Sequence, residues 1–302
     1  MVESNELSTA SRTNASKVCV IVATRGRPAI VARTIACLQS QTLRPALVVV
    51  SCVTEEDCGL ADRANVIVVR GPAGLTRQRN TGLAQVPADT DMVVFFDDDF
   101  VPHRAWLANA AQAFADHPDI VGLSGNVVAD GIGGEGLTFE YAELVLQDHA
   151  PEAHRWIRTP HSPYGCNMAF AWRRVADLRF DERLVLYGWQ EDRDFGARVS
   201  RRGRVVKLGS ALGVHLGVRG GRMPGARLGY SQVVNPLYLW RKGTMQSLAV
   251  LDHLARNIGM NAVRSIRPEN HIDRRGRLRG NLMGLRDAAR GSIAPERALE
   301  ME

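Results

Sequence analysis

No stretch of the 302-residue chain is apolar for long enough to span a bilayer: uncharged apolar runs such as residues 46–50 and 92–96 fall far short of the roughly 18 residues required. The first 17 residues are rich in Ser, Thr and Asn and lack an apolar signal core. A disordered leader over 1–16 and a cytoplasmic location are therefore expected. Cysteine is sparse and odd in number: Cys19, Cys37, Cys52, Cys58 and Cys166 include no C-x-x-C pair and sit mostly in apolar contexts. They are expected as reduced, space-filling thiols, which argues against a disulfide framework or a structural zinc site. Aromatic residues make up 6% of the chain, and no stacking platform accompanies its arginines, so a nucleic-acid partner is not expected. No internal repeat is visible.

What is present suits a globular enzyme. An apolar content of 45% can fill one large core or two modest ones. Charge is divided unevenly, with residues 216–302 carrying a net +8 and residues 1–215 a net −2. The basic end is expected to meet an acidic partner, and phosphate-bearing membrane lipid fits that description.

Apolar runs alternate with helical stripes along the first third. Residues 18–23 read as a strand closed by Thr24-Arg25-Gly26-Arg27-Pro28, with proline early in the helix that follows over 30–41. Strands at 46–50 and 65–69 come next, then a helix over 75–85 whose polar face holds Arg77, Gln78, Arg79 and Asn80. A fourth strand begins at Met92, a helix covers 102–117, and a further strand runs over 120–128. This spacing implies a mainly parallel, three-layer α/β/α sheet with ligands beyond the carboxyl ends of its strands. Residues 131–136 match G-x-G-x-x-G, but too late in the sheet to be a dinucleotide fingerprint, so a flexible loop is expected there. The irregular stretch 147–162, with His149, His154 and His161, is expected as a mobile loop over the site. Residues 165–170 form a small-residue strand or turn, 205–208 a last short strand, and the end of the chain is helical.

Chemistry concentrates at a few points. The run 92–96 leads straight into Asp97-Asp98-Asp99, and three adjacent anions at a strand end repel one another unless a cation offsets them. Oxygen-rich, incompletely enclosed sites suit Mg2+ or Mn2+ bridging to a diphosphate, whereas a merely solvated turn would need no metal. Glu191-Asp192 stands at a helix start beside Trp189, either as a general base made more basic by burial or as a simple capping pair. His215 follows a strand among glycines and apolar residues, as a metal ligand or a packed core histidine.

Together these motifs resemble the family 2 inverting glycosyltransferases with the GT-A fold, over about residues 17–242. Residues 20–25 are similar to the opening nucleotide-binding strand, which implies donor contacts at Thr24 and Arg25. Residues 74–82 resemble the R-N-x-G helix, placing Arg79 beneath the nucleotide or diphosphate. Residues 96–99 resemble the D-x-D element: Asp97 near ribose and metal, Asp98 on the donor side, Asp99 directly on the metal. Residues 165–170 resemble the G-x-N segment on the acceptor side, and Glu191-Asp192 the E-D motif whose aspartate is the catalytic base. His215 falls where several relatives place a metal ligand. Many relatives end the second strand in an aspartate that holds the base. Here that strand ends Val50-Ser51-Cys52-Val53, and Asp57, or a glutamate just before it, is expected in its place.

The resemblance implies a metal-dependent single displacement from a nucleotide-diphosphate sugar, such as a UDP-sugar, to a hydroxyl of a glycan or lipid-linked saccharide in polysaccharide biosynthesis. Beyond a catalytic domain at 17–242, residues 243–302 form a basic helical extension that either rests on an anionic membrane, as a peripheral anchor, or caps the catalytic domain. The competing classes are a sugar-phosphate nucleotidyltransferase, of which residues 24–27 give only a faint sign, and a non-catalytic polysaccharide or nucleic-acid binder, which leaves the strand-end acids unexplained.

Overall fold

The computed structural model describes residues 16–59, 64–159, 162–218, 224–267, 269 and 272–301. The expected leader and His161 lie outside them. The chain runs β1 (Val18–Ala23), α1 (Pro28–Gln39), β2 (Leu47–Cys52), β3 (Val66–Arg70), α2 (Leu75–Leu83), β4 (Met92–Asp97), β5 (Phe100–Pro102) and α3 (Trp106–Asp116). It continues through β6 (Ile120–Asp130), α4 (Phe139–Gln147), β7 (Ile157–Arg158), β8 (Asn167–Ala171), α5 (Trp172–Val175), α6 (Glu191–Val199) and β9 (Arg204–His215). Three long helices close it: α7 (Gly225–Lys242), α8 (Ser247–Ile266) and α9 (Arg274–Ala289).

One nine-stranded sheet, in the order β3-β2-β1-β4-β8-β6-β9-β5 with β7 added on β9, forms the middle layer. Its parallel character is concentrated in β3, β2, β1 and β4; β8 then runs antiparallel to both β4 and β6, and β6 and β9 resume a parallel pair. The unbroken apolar runs of β1 and β4 follow from burial on both faces. Val20, Val22, Val94 and Phe96 face α1 and α3 through Ile35, Leu38, Trp106 and Leu107, whereas Ile21, Val93 and Phe95 pack with Leu83 and Phe195 on the other side. Pro28 opens α1, where its missing N–H costs nothing.

Two expected elements change in ways that build the site. The helix expected from residue 102 begins only at Trp106, because Phe100–Pro102 pairs antiparallel with β9. The strand expected over 205–208 continues to His215. Gly209 and Gly213 do not end it: added Cβ atoms would lie 2.5 Å from the Trp156 ring and 2.0 Å from the Phe100 ring, so these glycines make room for aromatic side chains on the strand. The result is a register in which His215 lies opposite Phe100 on one side and Asp130 on the other.

The stretch expected as a loop over the site is held elsewhere. Its Ile157 and Arg158 pair with Leu208 and Lys207, near the far end of β9 from His215, and the chain returns to the site only at Tyr164. The glycine-rich 131–136 segment forms the turn from β6 to α4. Gly131 and Gly217, the latter at φ +66°, let that turn lie against the chain leaving His215, since a Cβ on either would fall within 2.4 Å of the other segment's backbone.

Helices α7, α8 and α9 pack as a C-terminal unit around Tyr230, Val234, Leu239 and Val250, touching the rest of the protein through Leu184 and Val185. The expected boundary at 242/243 falls between α7 and α8, where Gly243, at φ +78°, ends α7. Among the described residues no helix is long and apolar enough to cross a membrane.

Gly213→Ala places its methyl group in the Phe100 ring and is expected to cost roughly 1–3 kcal/mol of stability by overpacking. Urea unfolding measures this; an unchanged midpoint would mean that β5 yields without loss.

Candidate active site

The three adjacent acids diverge at the end of β4. Asp98 turns into the protein, where it accepts hydrogen bonds from Thr24 Oγ1 at 2.7 Å and Arg27 NH1 at 2.8 Å. Burial pushes its carboxyl up to about 6, against the pull of Arg27. The Thr24 hydroxyl, expected on the donor, is thereby spent on Asp98. Asp97 and Asp99 instead converge on His215: each of the three offers a ligand atom, all within 4.8 Å of one another. Two carboxylate oxygens and one imidazole nitrogen fit a divalent cation such as Mn2+ or Mg2+.

His215 is held from both sides. Its Nε2 lies 3.4 Å from Asp99 Oδ1, and its Nδ1 lies 3.0 Å from Asp130 Oδ1. Tyr164 donates its hydroxyl to Asp130 Oδ2 at 2.9 Å. Burial lowers the proton affinity of His215, but its hydrogen bonds to Asp130 and Asp99 outweigh it and carry the imidazole up to about 10. Asp99 also accepts from the Val218 N–H at 2.8 Å. Burial raises its pKa, yet His215, Arg27 and that N–H hold it below the usual carboxylate range. Asp130 and Tyr164 were not singled out in the sequence. The available signal was an acid at the carboxyl end of a strand, masked because β6 extends two residues beyond its expected end.

Arg79 occupies the centre of the acidic end. It projects from α2 into the protein, 2% exposed, and pairs with Glu191, with Asp97 Oδ1 at 3.0 Å and with the Gly165 carbonyl at 2.8 Å. Its neighbours on α2 have equally local tasks. Gln78 bonds the Thr24 and Ser51 carbonyls, tying the ends of β1 and β2, and Asn80 holds the backbone of Phe180. Burial pushes Glu191 up to about 8 while Arg79 pulls it down. Glu191 thus pairs with Arg79, whereas its neighbour Asp192 is bonded to backbone N–H groups.

Asp192 accepts from the Gly165 N–H at 2.9 Å and the Arg193 N–H at 2.7 Å. Desolvation nevertheless holds its carboxyl above the usual range. The approach to α6 is strained: Leu186, Gly188 and Gln190 all have positive φ, two of them without glycine's freedom. Two residues along, Asp194 is fully buried and paired with Lys242 at 2.9 Å, Arg198 at 3.0 Å and Thr244 Oγ1 at 2.8 Å. Lys242 also binds Asp181, so the C-terminal unit is anchored in the first turn of the helix that bears Asp192.

The β1–α1 turn forms the remaining wall. Arg25 is exposed at its rim. Asp57, expected to hold the nucleotide base in place of a strand-end aspartate, has both oxygens engaged within the protein: Oδ1 by the Gly26 N–H at 2.7 Å, Oδ2 by the Val53 and Thr54 N–H groups at 2.9 and 2.7 Å. Burial raises its pKa, but these three donors bring it below the usual range. Its role in the structure is to fasten the β1–α1 turn to the loop after β2.

Arg79→Met strips the cation from two carboxylates and is expected to destabilise the protein by about 3–5 kcal/mol, as for other broken buried pairs. Adding Glu191→Gln should restore part of the loss in thermal unfolding. An Arg79→Met midpoint matching that of the parent would contradict this account of the ion cluster.

The family model for glycosyl transferase family 2 matches residues 19–177, more than half of the chain. Succinoglycan biosynthesis protein ExoW of Rhizobium meliloti (strain 1021) is 39% identical over 95 residues, 28% of this chain and 30% of that one, so the chain spans about a third of that curated relative. Among solved structures, the S. aureus TarS fragment 1–349 matches with a TM-score of 0.55 at 15% identity, covering 93% of this chain and 82% of that one. The mannosyltransferase PcManGT of Pyrobaculum calidifontis, solved with GDP-Man and Mn2+, matches with a TM-score of 0.49 at 17% identity, covering 95% of this chain and 79% of that one. The order in which the motifs meet at one end of the sheet agrees with the match along the sequence, and the chain belongs to glycosyl transferase family 2, with a GT-A type fold.

Proposed function

We propose that this chain is a metal-dependent, inverting glycosyltransferase that moves a sugar from a nucleotide-diphosphate donor, a UDP-sugar first among them, to a hydroxyl of a glycan or lipid-linked saccharide in polysaccharide biosynthesis. The observation that carries this reading is the meeting of Asp97, Asp99 and His215 beside Asp192, joined through one residue: the Gly165 carbonyl binds Arg79, which holds Asp97, and the Gly165 N–H binds Asp192. Asp97, Asp99 and His215 would hold the divalent cation, which when bound supplies Lewis-acid neutralisation of the diphosphate. Arg25 stands at the rim where a donor's phosphates would enter.

Asp192 takes the proton from the acceptor hydroxyl as its oxygen bonds to the anomeric carbon. The bond from that carbon to the diphosphate breaks on the opposite face, and the sugar inverts. Burial suits Asp192 to this task by raising its basicity, while the Gly165 and Arg193 N–H groups fix its orientation. Glu191 holds Arg79, and Arg79 offsets the negative charge of Asp97.

A second feature favours a lipid-linked acceptor. On α8, Leu248, Leu251, Val263 and Ile266 share one helical face and are 61–81% exposed, while α9 presents Arg275, Arg279 and Arg286 to solvent. An apolar stripe flanked by arginines suits an anionic membrane surface.

Donor hydrolysis, screened over a panel of sugar nucleotides with and without Mn2+, tests the main reading; no metal-dependent hydrolysis of any donor would defeat it. Asp192→Asn should leave donor binding in place and lower turnover by about 10²- to 10⁴-fold. The base must be ionised, so parental turnover should fall as pH drops through a pKa above the ordinary aspartate value of about 3.9. A limb at or below that value would exclude Asp192 as the base. Sedimentation with anionic vesicles at low salt, but not with neutral ones, is expected, and Leu251→Asp should abolish it; equal recovery with both vesicle types would point away from the arginines.

A further inference from the structure

We infer that Asp130 is the positioning residue that sets which nitrogen of His215 faces the metal, with Tyr164 steadying Asp130. This rests on the metal site proposed above and extends it to residues that neither the motifs nor the family resemblance singled out.

The sheet supplies the first part of the argument. Asp130 and His215 are partners in the β6–β9 ladder and the last residues of both strands, so their side chains emerge together where the sheet stops. Adjacency alone would leave the imidazole free to rotate. Three contacts remove that freedom: Asp130 Oδ1 lies 3.0 Å from Nδ1, Tyr164 donates to Asp130 Oδ2 at 2.9 Å, and the Ile132 N–H donates to Asp130 Oδ1 at 3.0 Å. Both oxygens of Asp130 are therefore committed, and the carboxylate cannot swing towards the cation site. In the neutral imidazole that cation binding requires, an Nδ1–H pointing at a carboxylate leaves the lone pair on Nε2, the atom that lies 3.4 Å from Asp99 Oδ1 within the metal-binding group. The Tyr164 ring meets the imidazole edge to face, with centroids 6.0 Å apart, and closes the remaining side.

Tyr164 gives the arrangement a second consequence. It precedes Gly165, whose N–H holds Asp192 and whose carbonyl holds Arg79. Two consecutive residues thus fix the partner of the metal-ligating histidine and the general base. A shift of that dipeptide would move both.

Mn2+ affinity by titration calorimetry, together with histidine-nitrogen coupling to bound Mn2+ in pulsed EPR, reads the proposal directly in the absence of turnover. Asp130→Ala is expected to weaken Mn2+ binding by roughly 10- to 100-fold and to reduce the nitrogen coupling. Asp130→Asn, nearly isosteric and still able to accept from Nδ1–H, should fall between parent and Asp130→Ala, and it carries the test if the alanine variant does not fold. Tyr164→Phe should weaken binding less than Asp130→Ala. Parental affinity and coupling in folded Asp130→Ala or Asp130→Asn would overturn the inference while leaving the metal site intact. Absence of Mn2+ binding by the parent protein would overturn the metal site itself, and this inference with it.

Discussion

Negative charge is crowded at one end of the sheet, and much of the local structure manages that crowding. Asp97, Asp98, Asp99, Asp130, Glu191 and Asp192 come from three separate parts of the chain, and positive groups paired with them are Arg79, Arg27 and His215. Arg79 carries the largest share. A guanidinium that is 2% exposed would be costly to bury alone, and it is tolerated because acceptors on β4, α6 and the segment before β8 converge on it. Those acceptors are equally dependent on Arg79.

The sheet divides this work between its halves. The parallel strands β1, β2 and β4 end together, and Gln78 and Asp57 fasten the turns that follow β1 and β2. The other half brings in His215 through strand register, because β9 lies between β5 and β6. The reversal at β8 joins the halves, and just before it Tyr164 and Gly165 reach towards Asp130, His215 and Asp192. Backbone strain sits where orientation matters most, in the three positive-φ residues leading to Glu191 and Asp192.

Sequence reading reached the first half of the fold well and the second half less so. Uninterrupted apolar runs such as 18–23 and 92–96 show themselves because both faces are buried, and their carboxyl ends mark the site. β9 was shortened because Gly209 and Gly213 look like strand breakers until Trp156 and Phe100 are seen lying over them. The same error hid Asp130, whose partner His215 was not yet known to end a neighbouring strand. Thr24, Asp57 and Asp98 illustrate a different limit. Residue type and position suggested donor contacts, but only coordinates show that each is already bonded to another part of the protein. The metal-binding group was the most readable part of the site, because like charges at a strand end call for a cation wherever the other ligands come from.

Asp194 connects the C-terminal helices to this chemistry. It is buried one turn into α6, and two of its partners, Lys242 and Thr244, lie on either side of the turn that ends α7. Trimming the chain at residue 242 to obtain a minimal enzyme would therefore do more than remove a surface helix pair. It would free the end of α7, take away the threonine hydroxyl and loosen the lysine, leaving an anion poorly compensated two residues from Asp192. Through Thr244, the helices beyond residue 242 are tied to the helix that bears Asp192, whatever surface they also touch.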